Sequence, residues 1–198
     1  MEIDGLIKFI ELTNRFREIE RVILIKGSDR FENDLEHSYQ LAICAWYVIT
    51  TKKLPLSVEK AMKYALVHDL VEVYAGDVFF YDQEDPAVAQ RKKEREKEAV
   101  DMLRKEFQEF PDMADFIDNY QNKSEEESRF VYALDKIISP INIYLDGGRI
   151  WHQHNITLEK LYKAKKPKAD AYPEVGKYFD ELKEILDKHP DFFPGEVK

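Results

Sequence analysis

The chain has 198 residues, of which 44% are hydrophobic and 35% charged, and its formal net charge is −9. This composition is typical of a folded globular protein and excludes a disordered chain. The basic residues form no dense stripe, so we expect no binding to nucleic acid, which depends on clustered Lys and Arg. An anionic small molecule stays compatible with the negative charge if a local cation compensates for it.

The location of the protein is predicted from three features of the sequence. Cys44 is the single cysteine and lies in the apolar stretch LAICAWYVI, so we interpret it as a small core residue. The N-terminus lacks the basic segment and apolar core of a signal peptide, and no apolar run approaches the length that spans a bilayer. We therefore expect a cytoplasmic protein that does not bind membranes.

Helical patterns begin at the N-terminus. Apolar residues recur at helical spacing over residues 3–19. A second helix is predicted to begin near Asn33 or Asp34, where Glu36 is placed to complete a capping box with Asn33. A third helix is predicted from a cap at Ser57 to about Ala75.

The next helix is predicted to have Pro86 in its first turn. It contains the segment QRKKEREKEAVDMLRKEF, whose strongly charged first half we interpret as a solvated helix face with i,i+4 ion pairs. Ser124 and Glu127 form a capping-box pattern before a further helix, which Pro140 is expected to kink or interrupt. Helical patterns return over about 157–190. No pair of alternating strands is evident, so the predicted fold class is all-α.

The stretch YALVHDLVEVYAGD combines apolar helical residues with ionisable ones. His68, Asp69 and Glu72 lie within two turns, and Asp77 follows Gly76, the predicted stop of the third helix. Ionisable groups are costly to bury without partners, so a metal ion, a satisfied polar core and coincidence are the three interpretations.

Four positions along the chain could hold a metal: His37, His68, Asp69 and Asp135. Imidazole nitrogens and carboxylate oxygens together suit Mn, Fe, Co, Ni or Zn. However, a lone His on an apolar helix is also typical of a hydrogen-bonded core residue, and Asp135 could pair with Lys136. The pattern by itself leaves both interpretations open.

The order of these residues resembles the HD-domain superfamily of metal-dependent phosphohydrolases. The segments NDLEHSYQLAICAW and YALVHDLVEVYAGDV are similar to the bacterial 5'-deoxynucleotidase branch, and the tract HDxxE(x4)D is the most specific part. The resemblance covers about Ile7 to Leu145. It implies a single helical HD domain over residues 1–198, with a core at about 7–145 and C-terminal helices at about 157–190.

The resemblance also implies a set of metal ligands and a nucleotide substrate. His37, His68, Asp69 and Asp135 match the ligands of one divalent transition metal, which could be Mn, Co, Fe, Ni or Zn. The implied activity is the release of phosphate from (deoxy)nucleoside 5'-monophosphates by attack of a metal-bound water.

The remaining site residues are implied in the same way. Glu72 matches the acid that works beside the attacking water, and Asp77 matches the second catalytic carboxylate. The resemblance does not assign which of the two protonates the leaving alcohol. Arg21 is the nearest match to the arginine that holds the phosphate, but an insertion of one residue before the first His leaves Arg17 and Arg15 as alternatives.

The substrate and the oligomeric state are open to several interpretations. Val22 stands where relatives carry an aromatic residue beside the sugar, which weakens the expected preference for deoxyribose. Alternative activities are hydrolysis of a triphosphate, a cyclic nucleotide or an alarmone, although Val73 after Glu72 argues against the alarmone. A non-catalytic metal or nucleotide sensor is a further alternative.

The many aromatic residues and the dimeric state of the related nucleotidases favour a homodimer. We expect His152 and His154 in a loop or at the surface.

Overall fold

The computed structural model describes residues 2–77, 79–81 and 85–195. Most of these residues are helical. The elements in chain order are α1 (Glu2–Phe16), β1 (Glu20–Leu24), β2 (Phe31–Asn33), α2 (Asp34–Lys52), α3 (Val58–Val67), α4 (Glu72–Ala75), α5 (Pro86–Glu106), α6 (Pro111–Asn122), α7 (Glu126–Leu145), α8 (Arg149–Gln153), α9 (Leu158–Ala169), α10 (Pro173–Leu186) and a final 3-10 turn (Pro190–Phe192). The predicted all-α class is confirmed, and among the described residues no helix has the length and apolarity needed to cross a bilayer.

A short hairpin follows the first helix and was not predicted. Strands β1 and β2 pair antiparallel, with Glu20 opposite Asn33 and Leu24 opposite Phe31. The helix predicted over 3–19 is therefore too long, because α1 ends at Phe16. The hairpin leads directly into α2, so its two strands lie beside the start of that helix.

The predicted capping box at the start of α2 is confirmed. The side chain of Asn33 accepts a hydrogen bond from the backbone N–H of Glu36 at 3.0 Å, and Glu36 Oε2 accepts one from the N–H of Asn33 at 3.1 Å. These bonds satisfy N–H groups that the first turn of a helix leaves without partners. They also fix the first turn so that Asp34 and His37 are fully buried.

The single helix predicted from Ser57 to Ala75 is wrong. Ser57 does cap α3, but the α-helix ends at Val67 and residues 68–71 form turns before α4 begins. Within this segment the N–H of Leu70 bonds to the carbonyl of Val67 at 3.1 Å, three residues back, as in a 3-10 helix. The tighter winding changes the direction in which the side chains of this segment point, and His68 and Asp69 belong to it.

Two further boundary predictions are corrected in the second half of the chain. The cap of α7 is one residue later than expected, because Glu125 is the N-cap and pairs with Ser128. Pro140 does not interrupt α7, which continues through it to Leu145. Pro140 is buried, so the packing of α7 outweighs the backbone hydrogen bond that proline removes. The predicted first-turn position of Pro86 is confirmed, with Asp85 as the N-cap.

The buried apolar residues form two clusters, which we call the first and the second core. The first core contains residues of α2, α3, α7, α9 and α10, including Ala65. The second core contains residues of α1, α5 and α6 together with Leu70 and Val71. The turn at 68–71 therefore lies where the two cores meet. The prediction of one domain over residues 1–198 stays a prediction.

Candidate metal centre and its cavity

Three of the four predicted metal ligands form one buried cluster. His37 comes from the first turn of α2, His68 follows α3, and Asp135 lies in the middle of α7. One ligand atom from each lies within 4.8 Å of the others, and His37 Nε2 is 3.0 Å from Asp135 Oδ1. Residues that are far apart in the sequence therefore provide imidazole and carboxylate donors to a single point.

The fourth predicted ligand, Asp69, lies beside this cluster. Its Oδ2 is 2.9 Å from His68 Nε2 and also 2.9 Å from Nη1 of Arg21. His68 Nδ1 lies 2.9 Å from the carbonyl oxygen of Ala65, to which it donates as an N–H. This bond fixes the tautomer of the neutral ring, so Nε2 of His68 is the nitrogen that could bind a metal. Burial lowers the pKa of His68, but the nearby Asp69 carboxylate outweighs burial and raises the pKa above its ordinary value.

Burial keeps the imidazole of His37 neutral. The pKa of His37 falls to about 4, mainly because the ring is buried and secondly because the positive charge of Arg21 is close. Neutral imidazole is the form that binds a metal. For Asp135, burial alone would raise the pKa, but Lys136 and His37 hold it well below its usual range. Lys136 Nζ lies 2.5 Å from Asp135 Oδ2, so the ion pair that the polar-core interpretation expects is present.

Carboxylates in this region outnumber their cationic partners. Burial raises the pKa of Asp34 to about 7, with a second contribution from the negative charge of Asp69. Burial also raises the pKa of Glu32 to about 7. The buried side-chain atoms that make no hydrogen bond among the described residues include His37 Nδ1, His68 Nε2, Glu32 Oε2, Asp34 Oδ2 and Glu72 Oε2. A bound cation would compensate the charge and use the free donor atoms, so this set of residues fits a divalent metal.

The two predicted catalytic carboxylates face the same cavity as the cluster. Glu72 and Asp77 both line it. Glu72 is buried, and its Oε1 accepts a hydrogen bond from Nζ of Lys92 on α5 at 3.0 Å. Burial raises the pKa of Glu72 well above its usual value, and the charges of Asp69 and Asp77 raise it further.

Lys92 was missed by the sequence analysis. The charged first half of α5 was interpreted as a solvated face, but the Lys92 side chain is only 15% exposed and bridges Glu72 and Glu96. The i,i+4 spacing of Lys92 and Glu96 predicted one of these two contacts. No local signal connects Lys92 to Glu72, because the two residues meet only when α5 packs against α4.

Arg21 is the one of the three candidate arginines that lines the cavity. Its Nη1 donates to Asp34 at 2.8 Å and to Asp69 at 2.9 Å, and its Nε lies 3.5 Å from Glu32. The alternatives are exposed and lie elsewhere: Arg15 stacks on the ring of Tyr74, and Arg17 donates to Asn14.

The cavity has a volume of about 700 Å³ and is lined by two chemically different sets of residues. One set of lining residues contains an imidazole and carboxylates, namely His68, Asp69, Glu72, Asp77 and Asp135. The other set contains aromatic rings and amines. Its residues include Phe79, Phe80, Tyr81, Lys123, Lys136, Trp151, Lys165 and Lys168. Val22 lines the same space, whereas His152 is exposed and contacts the backbone of Asp191, as expected for a surface residue.

Comparison with known proteins identifies the family. The sequence model of the HD domain matches residues 13–176. The chain belongs to the HD-domain family. The resemblance found in the sequence is thereby confirmed. Among curated proteins, this HD domain is similar to the mouse 5'-deoxynucleotidase HDDC2, with 26% identity over 187 residues that cover 90% of this chain and 86% of the relative. The zebrafish protein of the same name is 27% identical over 143 residues, which cover 68% of this chain and 66% of the relative.

Solved structures share the fold of this HD domain. A protein from Magnetospirillum magnetotacticum, described as a predicted metal-dependent phosphohydrolase, superposes with a TM-score of 0.82 at 24% identity. The match covers 96% of this chain and 97% of that one. A conserved hypothetical protein from Pyrococcus furiosus has a TM-score of 0.63 at 23% identity, over 92% of this chain and 99% of that one.

The cluster predicts a metal-dependent gain in stability. We expect the wild-type protein to bind one divalent metal, and its melting temperature to rise with Mn, Co or Zn, because a ligand that binds only the folded state stabilises it. Asp135→Ala should lose the metal and this stabilisation, since it removes a charged ligand. Elemental analysis and thermal unfolding measure the two effects.

The matched control is Asp118→Ala, which removes a carboxylate from the same cavity. Asp118 pairs with Arg104 and lies outside the buried cluster, so its loss should leave the metal in place. Full metal occupancy in folded Asp135→Ala protein would reject Asp135 as a ligand, and a wild type that binds no metal would show that the cluster is a polar core.

Proposed function

We propose that this HD-domain protein is a metal-dependent phosphohydrolase that releases phosphate from nucleoside 5'-monophosphates. The single observation that carries the proposal is the meeting of a buried His–His–Asp cluster with two more carboxylates, Glu72 and Asp77, in one cavity. The curated relatives are named 5'-deoxynucleotidases, and this activity is transferred to the present chain as part of the proposal.

The proposed metal ligands are His37, His68, Asp69 and Asp135. The metal is one divalent ion from the group Mn, Co, Fe, Ni and Zn, since all of these accept mixed nitrogen and oxygen donors. Such an ion supplies a nucleophilic water at neutral pH and polarises the phosphoryl group. In this arrangement Asp69 reaches the ion from the turn at 68–71, where it now contacts both His68 and Arg21.

Glu72 is proposed to move a proton during the reaction. It is buried beside the cluster and Lys92 fixes one of its oxygens, while Oε2 has no hydrogen-bond partner among the described residues. Burial and the neighbouring acids raise the pKa of Glu72, which brings it toward the range in which a carboxyl group can accept and return a proton. Asp77 is proposed as the second catalytic carboxylate at the same cavity.

Arg21 is proposed to contact the phosphate. It lines the cavity, and its guanidinium is held in place by Asp34 and Asp69, which leaves Nη2 without a hydrogen-bond partner in the described part of the chain. A fixed guanidinium can donate to a phosphoryl oxygen at little further entropic cost.

A cytoplasmic location remains a prediction from the sequence.

Glu72→Gln should separate chemistry from binding. The amide keeps the size of the side chain but cannot exchange a proton, so turnover of nucleoside monophosphates should fall by roughly a hundredfold or more. Metal content and KM should change little, because Glu72 is not a proposed ligand.

Glu96→Gln is the matched control for this variant. Glu96 also pairs with Lys92, at 2.9 Å, and lines the same cavity, but it lies outside the metal cluster. It should retain most of the turnover. Equal losses in the two variants would mean that the position of Lys92 matters and that Glu72 does not handle the proton.

Sugar selectivity should be weak. Val22 lines the cavity at the position where relatives carry an aromatic residue. A wall that excludes a hydroxyl by packing discriminates on the order of a hundredfold, and without it both sugars should lie within about tenfold in kcat/KM. Phosphate release from all ribo- and deoxyribonucleoside 5'-monophosphates measures this ratio. A strict preference for deoxyribose would reject the interpretation of Val22, and release of pyrophosphate or triphosphate from longer nucleotides would favour the alternative substrates.

A homodimer is proposed from an exposed apolar face on α1 and α2. The large apolar side chains that α1 exposes are Ile3, Leu6, Ile7 and Ile10, and those of α2 are Leu35, Tyr39, Ile43, Trp46 and Tyr47. Trp46 is 51% exposed and Tyr47 is 65% exposed. Apolar surface of this extent is unusual on a monomer, and exposed aromatic residues are enriched at interfaces between subunits.

Light scattering at micromolar concentration tests the dimer. The wild type should have the mass of two chains, and Trp46→Arg should have the mass of one, because a charge at the centre of an apolar interface stays unpaired. Ile185→Arg is the control, since Ile185 is an exposed apolar residue on α10 and is not part of α1 or α2. A monomeric wild type would reject the dimer.

A further inference from the structure

The lining of the cavity contains a buried lysine that forms no ion pair among the described residues. Lys165, on α9, is only 6% exposed and lines the cavity. Among the described residues, no carboxylate forms an ion pair with it. Its amine instead lies 3.6 Å from the centre of the Phe80 ring. Lysine is almost never buried to this extent unless it is paired.

Further amines surround Lys165. Lys168, one turn further along α9, lies 4.1 Å from the centre of the same Phe80 ring, so the two amines share one aromatic surface. Lys136 is also close, but its charge is already compensated by Asp135. Burial lowers the pKa of Lys165 well below its usual value, and Lys136 lowers it further. Burial lowers the pKa of Lys168 to about 8.

This concentration of amines is unfavourable in the free protein. A buried cation loses its hydration, and a second and third cation nearby add repulsion. The contact with Phe80 returns only a part of this free energy, on the order of 1–2 kcal/mol. An anion that enters the cavity would remove the remaining cost, so the arrangement is suited to a ligand with more than one negative charge.

We propose that Lys165 and Lys168 form a binding site for a phosphate group of the nucleotide substrate. The assignment to a nucleotide rests on the proposed function of the cavity. A phosphate monoester carries about two negative charges near neutral pH and offers three acceptor oxygens, enough for both amines. The two lysines would hold the phosphate from α9, and Arg21, whose Nη1 is bound to two carboxylates, would donate to a phosphoryl oxygen through Nη2.

Binding of inorganic phosphate tests this site without any need for turnover. Thermal unfolding of the metal-loaded protein is followed at increasing phosphate concentration for wild type, Lys165→Met, Lys168→Met and the double variant. Methionine keeps an unbranched side chain and removes the charge. We expect phosphate to stabilise the wild type, and its Kd to rise about tenfold or more with each lost lysine, because each removes a charge-assisted hydrogen bond.

Lys163→Met is the matched control. Lys163 lies on the same helix but is exposed and does not line the cavity, so its phosphate affinity should equal that of the wild type. In the absence of phosphate, Lys165→Met should melt at the same temperature as the wild type or higher, because it removes a buried amine that has no anionic partner among the described residues. A residue with a purely structural role would instead lower the melting temperature when it is replaced.

A kinetic arm identifies which phosphate the lysines hold. If it is the phosphate that is hydrolysed, KM for nucleoside monophosphates should rise in the double variant. If it is a neighbouring phosphate, only the KM for nucleoside diphosphates should rise. Phosphate binding that depends on both lysines in a protein that hydrolyses no nucleotide would reject the proposed function and keep this site. A wild type that phosphate does not stabilise, or a double variant with wild-type affinity for phosphate, would overturn the site.

Discussion

The arrangement of this protein depends on the cost of burying several carboxylates next to one another. Asp69, Glu72 and Asp135 line one cavity, and Asp34 is buried next to them, where it shares Arg21 with Asp69. The chain supplies three cations for these four carboxylates: Arg21 is shared by Asp34 and Asp69, Lys92 pairs with Glu72, and Lys136 pairs with Asp135. These pairs do not complete the compensation, since the pKa values of Asp34 and Glu72 remain raised and both imidazoles retain a nitrogen without a hydrogen bond. The remaining charge deficit is what makes a divalent cation the fitting ligand.

The other features of the fold hold these groups in position. The capping box at Asn33 fixes the first turn of α2 and hence the imidazole of His37. The bond from His68 to the carbonyl of Ala65 fixes the second imidazole, and the long buried helix α7 carries Asp135 between them. Lys165 and Lys168 of α9 line the same cavity. The lining of the cavity therefore includes both carboxylates, which suit a cation, and amines, which suit an anion.

The features that could be predicted from the sequence depend on residues close together in the chain. The caps at Asn33 and Ser57, the helix start at Pro86 and the stop at Gly76 depend on residues within one turn of each other, and the structure has all four. The grouping of His37, His68 and Asp135 followed from their order and type together with the family resemblance. Short strands such as β1 and β2 carry too few residues for an alternating pattern, so the hairpin was missed.

The parts that could not be predicted depend on contacts between distant segments. In the sequence Lys92 resembles a solvated residue, because its contact with Glu72 forms only when α5 packs against α4. The lysines of α9 lie in the C-terminal region, which the family resemblance does not cover. The break in the predicted third helix has the same origin. A continuous helix satisfies the local pattern from Ser57 to Ala75, but it would not place Ala65 in one core and Leu70 with Val71 in the other.

The turn at 68–71 also determines how the site can fluctuate. By its backbone geometry it is a loop, and loops usually open more easily than the helices that they connect. Here Leu70 and Val71 anchor it in the second core, while His68 is tied to Ala65 of the first. The segment cannot detach from the protein without exposing apolar surface of a core. Local unfolding of this segment would therefore expose Leu70 and Val71 and break the bond of His68 to Ala65, so the segment is expected to open less easily than a surface loop.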